Sequence, residues 1–366
     1  MIYFDNAATT PVIGERHEYF NPSSPHALGI RSERALRKAR ITIASMFNSQ
    51  SSAAPNPANA VSDGVIFTSG GTESNNIAIL GHVFANIRQG TALAAFSYEH
   101  PSILAPIAFA CERNMARRVS IDNLPHQGNL LVSVSHVNHE TGDINDIGAI
   151  AARAKSANPN AVVLVDGAQG FCKEPIPTAD MYSFSGHKCH APTGVGGLWV
   201  GKGVKLTPIM HGGGQENDYR PGTENISGIA QMADTAIDLY KNISSNRKHV
   251  SKINTAIANL QGILTDVTVN NLGPQTSPYI LNMSFLGTKG EVLVHALSEK
   301  GLYISMGAAC RSRKKAAPAL SLMGYSSQLA ESAIRLSFSH LNTLEEAHTA
   351  CELIEAEVKR FRKMKG

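Results

Sequence analysis

Val162-Val163-Leu164-Val165-Asp166-Gly167-Ala168-Gln169 is a run of four apolar residues that stops at an acid. So short a run of unbroken hydrophobicity, rich in valine, describes a strand buried on both faces. Working outward, residues 65–68, 92–97 and 129–137 read as strands, with helices expected at 73–88, 100–113 and 146–156. On the other side, 181–184 and 197–200 continue the pattern. Strands alternating with helices imply an α/β fold: a mostly parallel sheet covered on both faces, with ligands at the carboxyl ends of its strands. Residues 224–260 read as two helices or one broken one, a domain connector. Beyond them, strands at 267–269, 279–284, 302–305 and 333–338 and helices at 290–300 and 344–364 predict a second, smaller α/β domain. The expected division is a large domain over 13–245 and a small one over 1–12 and 246–366.

Bulk composition agrees with a globular enzyme. The chain has 366 residues, 43% hydrophobic and 17% charged, enough for a large core and too apolar for disorder. Net charge of +4 is spread along the chain, so direct nucleic-acid binding is not expected. No basic leader and no apolar run near the ~20 residues of a spanning helix is evident, and the expectation is a cytoplasmic protein without a membrane partner. Five cysteines, at 111, 172, 189, 310 and 351, are odd in number and lack CxxC spacing, which points to reduced thiols.

Five constellations carry chemistry. Met181 to Phe184 delivers the chain into Ser185-Gly186-His187-Lys188, followed by a glycine-rich stretch. A lysine so placed among apolar walls, hydroxyl and imidazole can condense with an aldehyde, and pyridoxal 5'-phosphate (PLP) is the usual one. Val65 to Ser74 is a strand, a Ser-Gly-Gly turn and a helix start, suited to a phosphate dianion at Gly71 and Thr72, or else an ordinary capped turn. Asp166 at a strand end would keep a pyridine nitrogen protonated or serve as a strand-end turn residue, Gln169 would reach the ring hydroxyl, and His100 would stack on the ring or else be a cap or surface histidine. Cys310 lies in a small-residue loop and is followed by Arg311, Arg313, Lys314 and Lys315, which favours an accessible thiolate. Arg335, flanked by apolar strand residues, needs an anion: a substrate carboxylate or a protein one. No metal is expected. His187, Cys189 and His190 diverge at a strand end and have no second ligand pair.

Together these segments resemble the cysteine desulfurases of the class V (fold-type I) PLP enzymes, the NifS/IscS-like group, over essentially the whole chain. The resemblance rests on YFDNAATTP (3–11), NPSSPHALG (21–29), FTSGGTESNN (67–76), EHPSIL (99–104), HVNHETG (136–142), VDGAQ (165–169), SFSGHK (183–188), HGGGQE (211–216), RPGTEN (220–225), GAAC (307–310) and IRLS (334–337). It implies that Lys188 forms the Schiff base, Asp166 and Gln169 hold the ring, and His100 stacks and assists proton transfer. It further implies that Gly71, Thr72, Ser185 and His187 hold the phosphate, with Thr223 contributed by the other subunit of a homodimer. Asn6 and Arg335 would hold the substrate carboxylate side, with His139 beside the substrate. Cys310 would take sulfur from L-cysteine as a persulfide, releasing L-alanine, and pass it to an acceptor. Iron–sulfur assembly, tRNA thiolation and DNA sulfur modification would all begin so, and the cationic run suits an acceptor with an acidic surface. A selenocysteine lyase, an aminotransferase-like relative or a non-catalytic scaffold are the alternatives. The chain departs from the family at His139, where a second Asn is usual, at Asn217-Asp218-Tyr219 in place of Arg-Gly-Leu, and in the cations after Cys310. The stretch 49–62 reads as an inserted surface loop.

Overall fold

The computed structural model describes residues 1–48, 64–306 and 319–364. The 49–62 stretch and the 307–315 segment with Cys310 lie outside the described residues. The chain divides into two compact units: Pro11–His136 with Asn145–Lys241, and Met1–Thr10 with Val137–Ile144 and Asn242–Gly366.

The first of these units is built on a seven-stranded sheet. Its strands run in the order Val65–Thr68, Gly196–Val200, Met181–Ser185, Ala161–Asp166, Asn129–Ser135, Thr91–Ala94 and Arg117–Val119. Gly196–Val200 is antiparallel to both its neighbours, and all other pairings are parallel. Strand periodicity then sorts the side chains. Leu130, Val132, Val163, Val165, Tyr182 and Phe184 enter one core with the helices Ala27–Asn48 and Ile226–Lys241. Leu131, Leu164, Met181 and Leu198 enter the other, with Gly71–Ala85 and Pro101–Glu112. Both faces are thus covered, which is why Ala161–Asp166 is an unbroken apolar run up to its terminal acid. The edge strand Arg117–Val119 was not foreseen: three residues, two of them exposed arginines, carry no strand signal.

Gly167, which follows the acid of the central strand, is dictated by packing. A Cβ there would lie 1.9 Å from Cε1 of Tyr182, a fully buried ring whose hydroxyl is 3.0 Å from His136 Nδ1. Gly167→Ala is therefore expected to destabilise the protein by about 1–3 kcal/mol, the usual range for overpacking. Adding Tyr182→Leu should relieve much of that loss, as a double-mutant cycle in urea would read; additive penalties would refute the contact as the cause.

The second unit holds a three-stranded antiparallel sheet, Ala333–Ser337, Ile280–Phe285 and Val267–Val269, and a parallel pair, Ile2–Tyr3 with Leu302–Tyr303. Phe4, Phe285, Phe338, Leu293 and Ile354 lie in its core, with Phe4 and Phe338 edge to face at 5.0 Å. The segment 137–144, expected within the large domain, belongs here instead. Asp143 accepts the backbone N–H groups of Leu272 and Gly273, and Asn282 donates to the Glu140 carbonyl. No helix among the described residues is long and apolar enough to cross a membrane.

Candidate active site

Register places the candidate residues of the large sheet along one end. Ser135 pairs with Asp166 and Asp166 with Ser183, while Ser185 pairs with Gly196, itself opposite Thr68. Asp166 is the last residue of its strand; Ser185 ends the next and leads into the short turn Gly186–Lys188. The Gly71–Ala85 helix starts directly after the strand Val65–Thr68 and its Ser69-Gly70 turn, with Gly70 as N-cap and no side chain capping it. Its first N–H groups and the positive end of its dipole suit an anion. The Ser185 side chain lies against this turn, 3.7 Å from where a Cβ on Gly71 would stand, so a larger residue would fill the cradle. Thr72 and His100 line one recess of about 560 Å³.

Electrostatics tie the remaining groups together. Burial lowers the pKa of His100; beyond that, Asp166 opposes the shift and Lys188 adds to it, so both charges act on this imidazole. His187 is pushed down to about 4, first by burial and then by Lys188 and Lys173, and is neutral at pH 7. Asp166 accepts from Ala168 N–H at 2.9 Å and from the Asn75 amide at 2.8 Å. Gln169 Oε1 accepts from Lys173 Nζ at 3.3 Å, which turns its amide nitrogen away from Lys173. Lys173 is buried and its pKa falls to about 8, through burial first and then the charge of Lys188.

The residues match a phosphorylated pyridine aldehyde: an uncapped helix start and a hydroxyl for the phosphate, an acid at a strand end for the ring nitrogen, an amide for the ring hydroxyl and an amine to condense. Thr223 is exposed in the loop before Ile226–Lys241.

The other unit carries Asn6, His139 and Arg335. Arg335 is buried; Nη1 donates to the His139 carbonyl at 2.9 Å and Nη2 pairs with Asp5 at 3.2 Å. Glu140 Oε1 lies 3.8 Å from Nη1 and 3.5 Å from His139 Nε2. A protein carboxylate is thus present as Arg335's partner, while its Nε is buried with no acceptor among the described residues. Asn6 donates to the carbonyls of Tyr3 and Ser337 and to Asn342, so its amide hydrogens serve its own fold. Burial raises the pKa of Cys111, Cys172 and Cys351, keeping these thiols protonated.

Sequence reasoning passed over Asn75, Ser102, Lys173 and Glu99, all within or beside quoted segments. Glu99 is buried, accepts from Ser135 N–H, and has its pKa raised to about 8, by burial first and then Asp166. Its folded pKa is above the ordinary 4.5, so the folded chain binds the extra proton in between. Stability is full below about pH 4 and declines as pH rises towards about 8, by at most about 1.4 kcal/mol per pH unit. Glu99→Gln, which mimics the neutral acid, should flatten this slope in urea unfolding at several pH values; an unchanged slope would assign it elsewhere.

Comparison with known proteins agrees. Residues 2–349 match the family model described as aminotransferase class-V. A NifS/IcsS protein homolog of Lactobacillus delbrueckii subsp. bulgaricus is 36% identical over 378 residues, covering 95% of this chain and 94% of its own. The cysteine desulfurase IscS of Dictyoglomus turgidum is 31% identical, covering 99% and 95%. A solved NifS-like protein superposes with a TM-score of 0.87 at 27% identity, over 98% of this chain and 99% of that one. The chain belongs to the class-V aminotransferase family, and within it to the PLP-dependent cysteine desulfurases.

Proposed function

We propose that the chain converts L-cysteine to L-alanine, leaves the sulfur as a persulfide on Cys310, and passes it to an acceptor. PLP, when bound, supplies an electron sink conjugated to the substrate Cα. Lys188 would hold the cofactor through its amine. Asp166 keeps a proton on the ring nitrogen, and Gln169, oriented by Lys173, donates to the ring hydroxyl oxygen. Gly71, Thr72, Ser185 and His187 hold the phosphate, His187 as a neutral donor. Arg335 receives the substrate carboxylate, with His139 beside the substrate; Asn6 braces Ser337 two residues further on. The Cys310 thiolate forms the new S–S bond as the substrate C–S bond breaks, whose electron pair stays with the carbon skeleton and is protonated to give alanine. Homodimer formation, with Thr223 serving the partner's phosphate, and a cytoplasmic location complete the reading.

The supporting observation is that Asp166, at the end of one central strand, is joined through Asn75 and Ser102 to His100, with Lys188 in the turn after the neighbouring strand. The test is a sulfide and alanine assay with L-cysteine for wild type and Cys310→Ala. Both products should form in the wild type, and alanine should fall by about 10²-fold or more in the variant, the scale of a lost nucleophile. Alanine formation that survives Cys310→Ala would instead support a lyase of the selenocysteine kind.

A further inference from the structure

Four residues form one line of hydrogen bonds. Asn75 Nδ2 is 2.8 Å from Asp166 Oδ2 and 2.9 Å from Ser102 Oγ. Ser102 Oγ is 2.8 Å from His100 Nδ1, which also receives the Ser102 backbone N–H at 3.1 Å. Both ends of the line fix its direction. The Asp166 carboxylate can only accept, so the group of Asn75 facing it is the NH2, and the two hydrogens of that amide go to Asp166 and Ser102. A backbone N–H can only donate, so His100 Nδ1 carries a lone pair. Ser102 Oγ, already an acceptor from Asn75, gives its own hydrogen to Nδ1. The ring proton is left on Nε2.

The buried Oδ1 of Asn75, which has no donor among the described residues, agrees with an amide oriented through its nitrogen. Pro101 and Ser102 open the Pro101–Glu112 helix, and His100 is its N-cap through this same Nδ1.

We propose that Asn75 and Ser102 are positioning residues that hold His100 as the neutral Nε2–H tautomer, so that it offers cofactor and substrate a hydrogen-bond donor. The role in catalysis rests on the desulfurase reading; the tautomer itself does not. A second proton can enter only at Nδ1, against the Ser102 N–H, and would require the Ser102 hydroxyl to turn away. Burial opposes that proton first, Lys188 opposes it too, and Asp166 favours it.

The test uses apoenzyme labelled with 15N-histidine and long-range 1H–15N spectra between about pH 5 and pH 8. His100 is assigned by the signals lost in His100→Gln. Wild type should show a lone-pair Nδ1 and a protonated Nε2 wherever the ring is neutral, at about pH 8 above all. Ser102→Ala should mix the tautomers or raise the titration midpoint by about half a unit or more, and Ser102→Thr, which keeps the hydroxyl, should restore the wild-type pattern. A proton on Nδ1 of the neutral ring in the wild type, or a Ser102→Ala titration superimposable on the wild type, overturns the proposal. The wild-type spectrum needs no variant to fold and no activity, so the outcome is separable from that of the desulfurase assay.

Discussion

Lys188→Ala is expected to lose the near-visible absorbance band of lysine-bound cofactor and to lower alanine formation from L-cysteine by about 10³-fold or more. Lys188 closes the turn after Met181–Ser185, and in the proposed reaction its amine holds and releases the cofactor. The phosphate turn and Asp166 remain in the variant, so PLP should still bind, reversibly and without the band. The substitution also removes a positive neighbour from His187, His100 and Lys173, so all three should titrate at higher pH than in the wild type. A variant that kept the band and a rate within tenfold of wild type would remove Lys188 from the reaction.

Arg335→Ala is expected to act on fold and substrate together. The guanidinium serves the His139 carbonyl and Asp5 and stands near Glu140, and both it and Glu140 are nearly excluded from solvent. Removing it leaves two carboxylates without their cation, a loss of about 3–5 kcal/mol by analogy with broken buried pairs. Urea unfolding of the apoenzyme should read that loss, and KM for L-cysteine should rise in any folded fraction. Arg335→Lys should recover part of the stability and little of the KM, because a single ammonium cannot repeat the planar fork. Stability and KM both near wild type would mean that neither contact matters.

The sequence disclosed the parts of the fold that depend on local pattern. Ala161–Asp166 is legible because a strand covered on both faces is apolar up to its terminal acid. The transfer of 137–144 to the smaller unit is not legible, because it depends on Asp143 meeting N–H groups some 130 residues away. The site divides in the same way. Lys188, Asp166, Gly71 and Thr72 stand at strand ends and a helix start, where sequence marks them. Asn75 and Ser102 look like ordinary helix residues, and their meaning appears only when two helices bring them to one histidine. Lys173 resembles any lysine after a strand until its burial beside Gln169 is known. Arg335 was read as needing an anion; that Asp5, near the opposite end of the chain, supplies one is a fact of topology.

The single antiparallel strand of the large sheet sets an order of assembly. Among the described residues, Val65–Thr68 has only Gly196–Val200 as a sheet neighbour, so the strand that leads into the Ser69-Gly70 turn has no place to dock until about 130 more residues have been made. Ile2–Tyr3 waits longer still, for Leu302–Tyr303. On the ribosome, the parallel centre from Thr91–Ala94 to Ala161–Asp166 can condense first, and the edge formed by Val65–Thr68 closes late. Nascent chains that stop short of Gly196–Val200 would therefore leave Val65–Thr68 without its sheet neighbour.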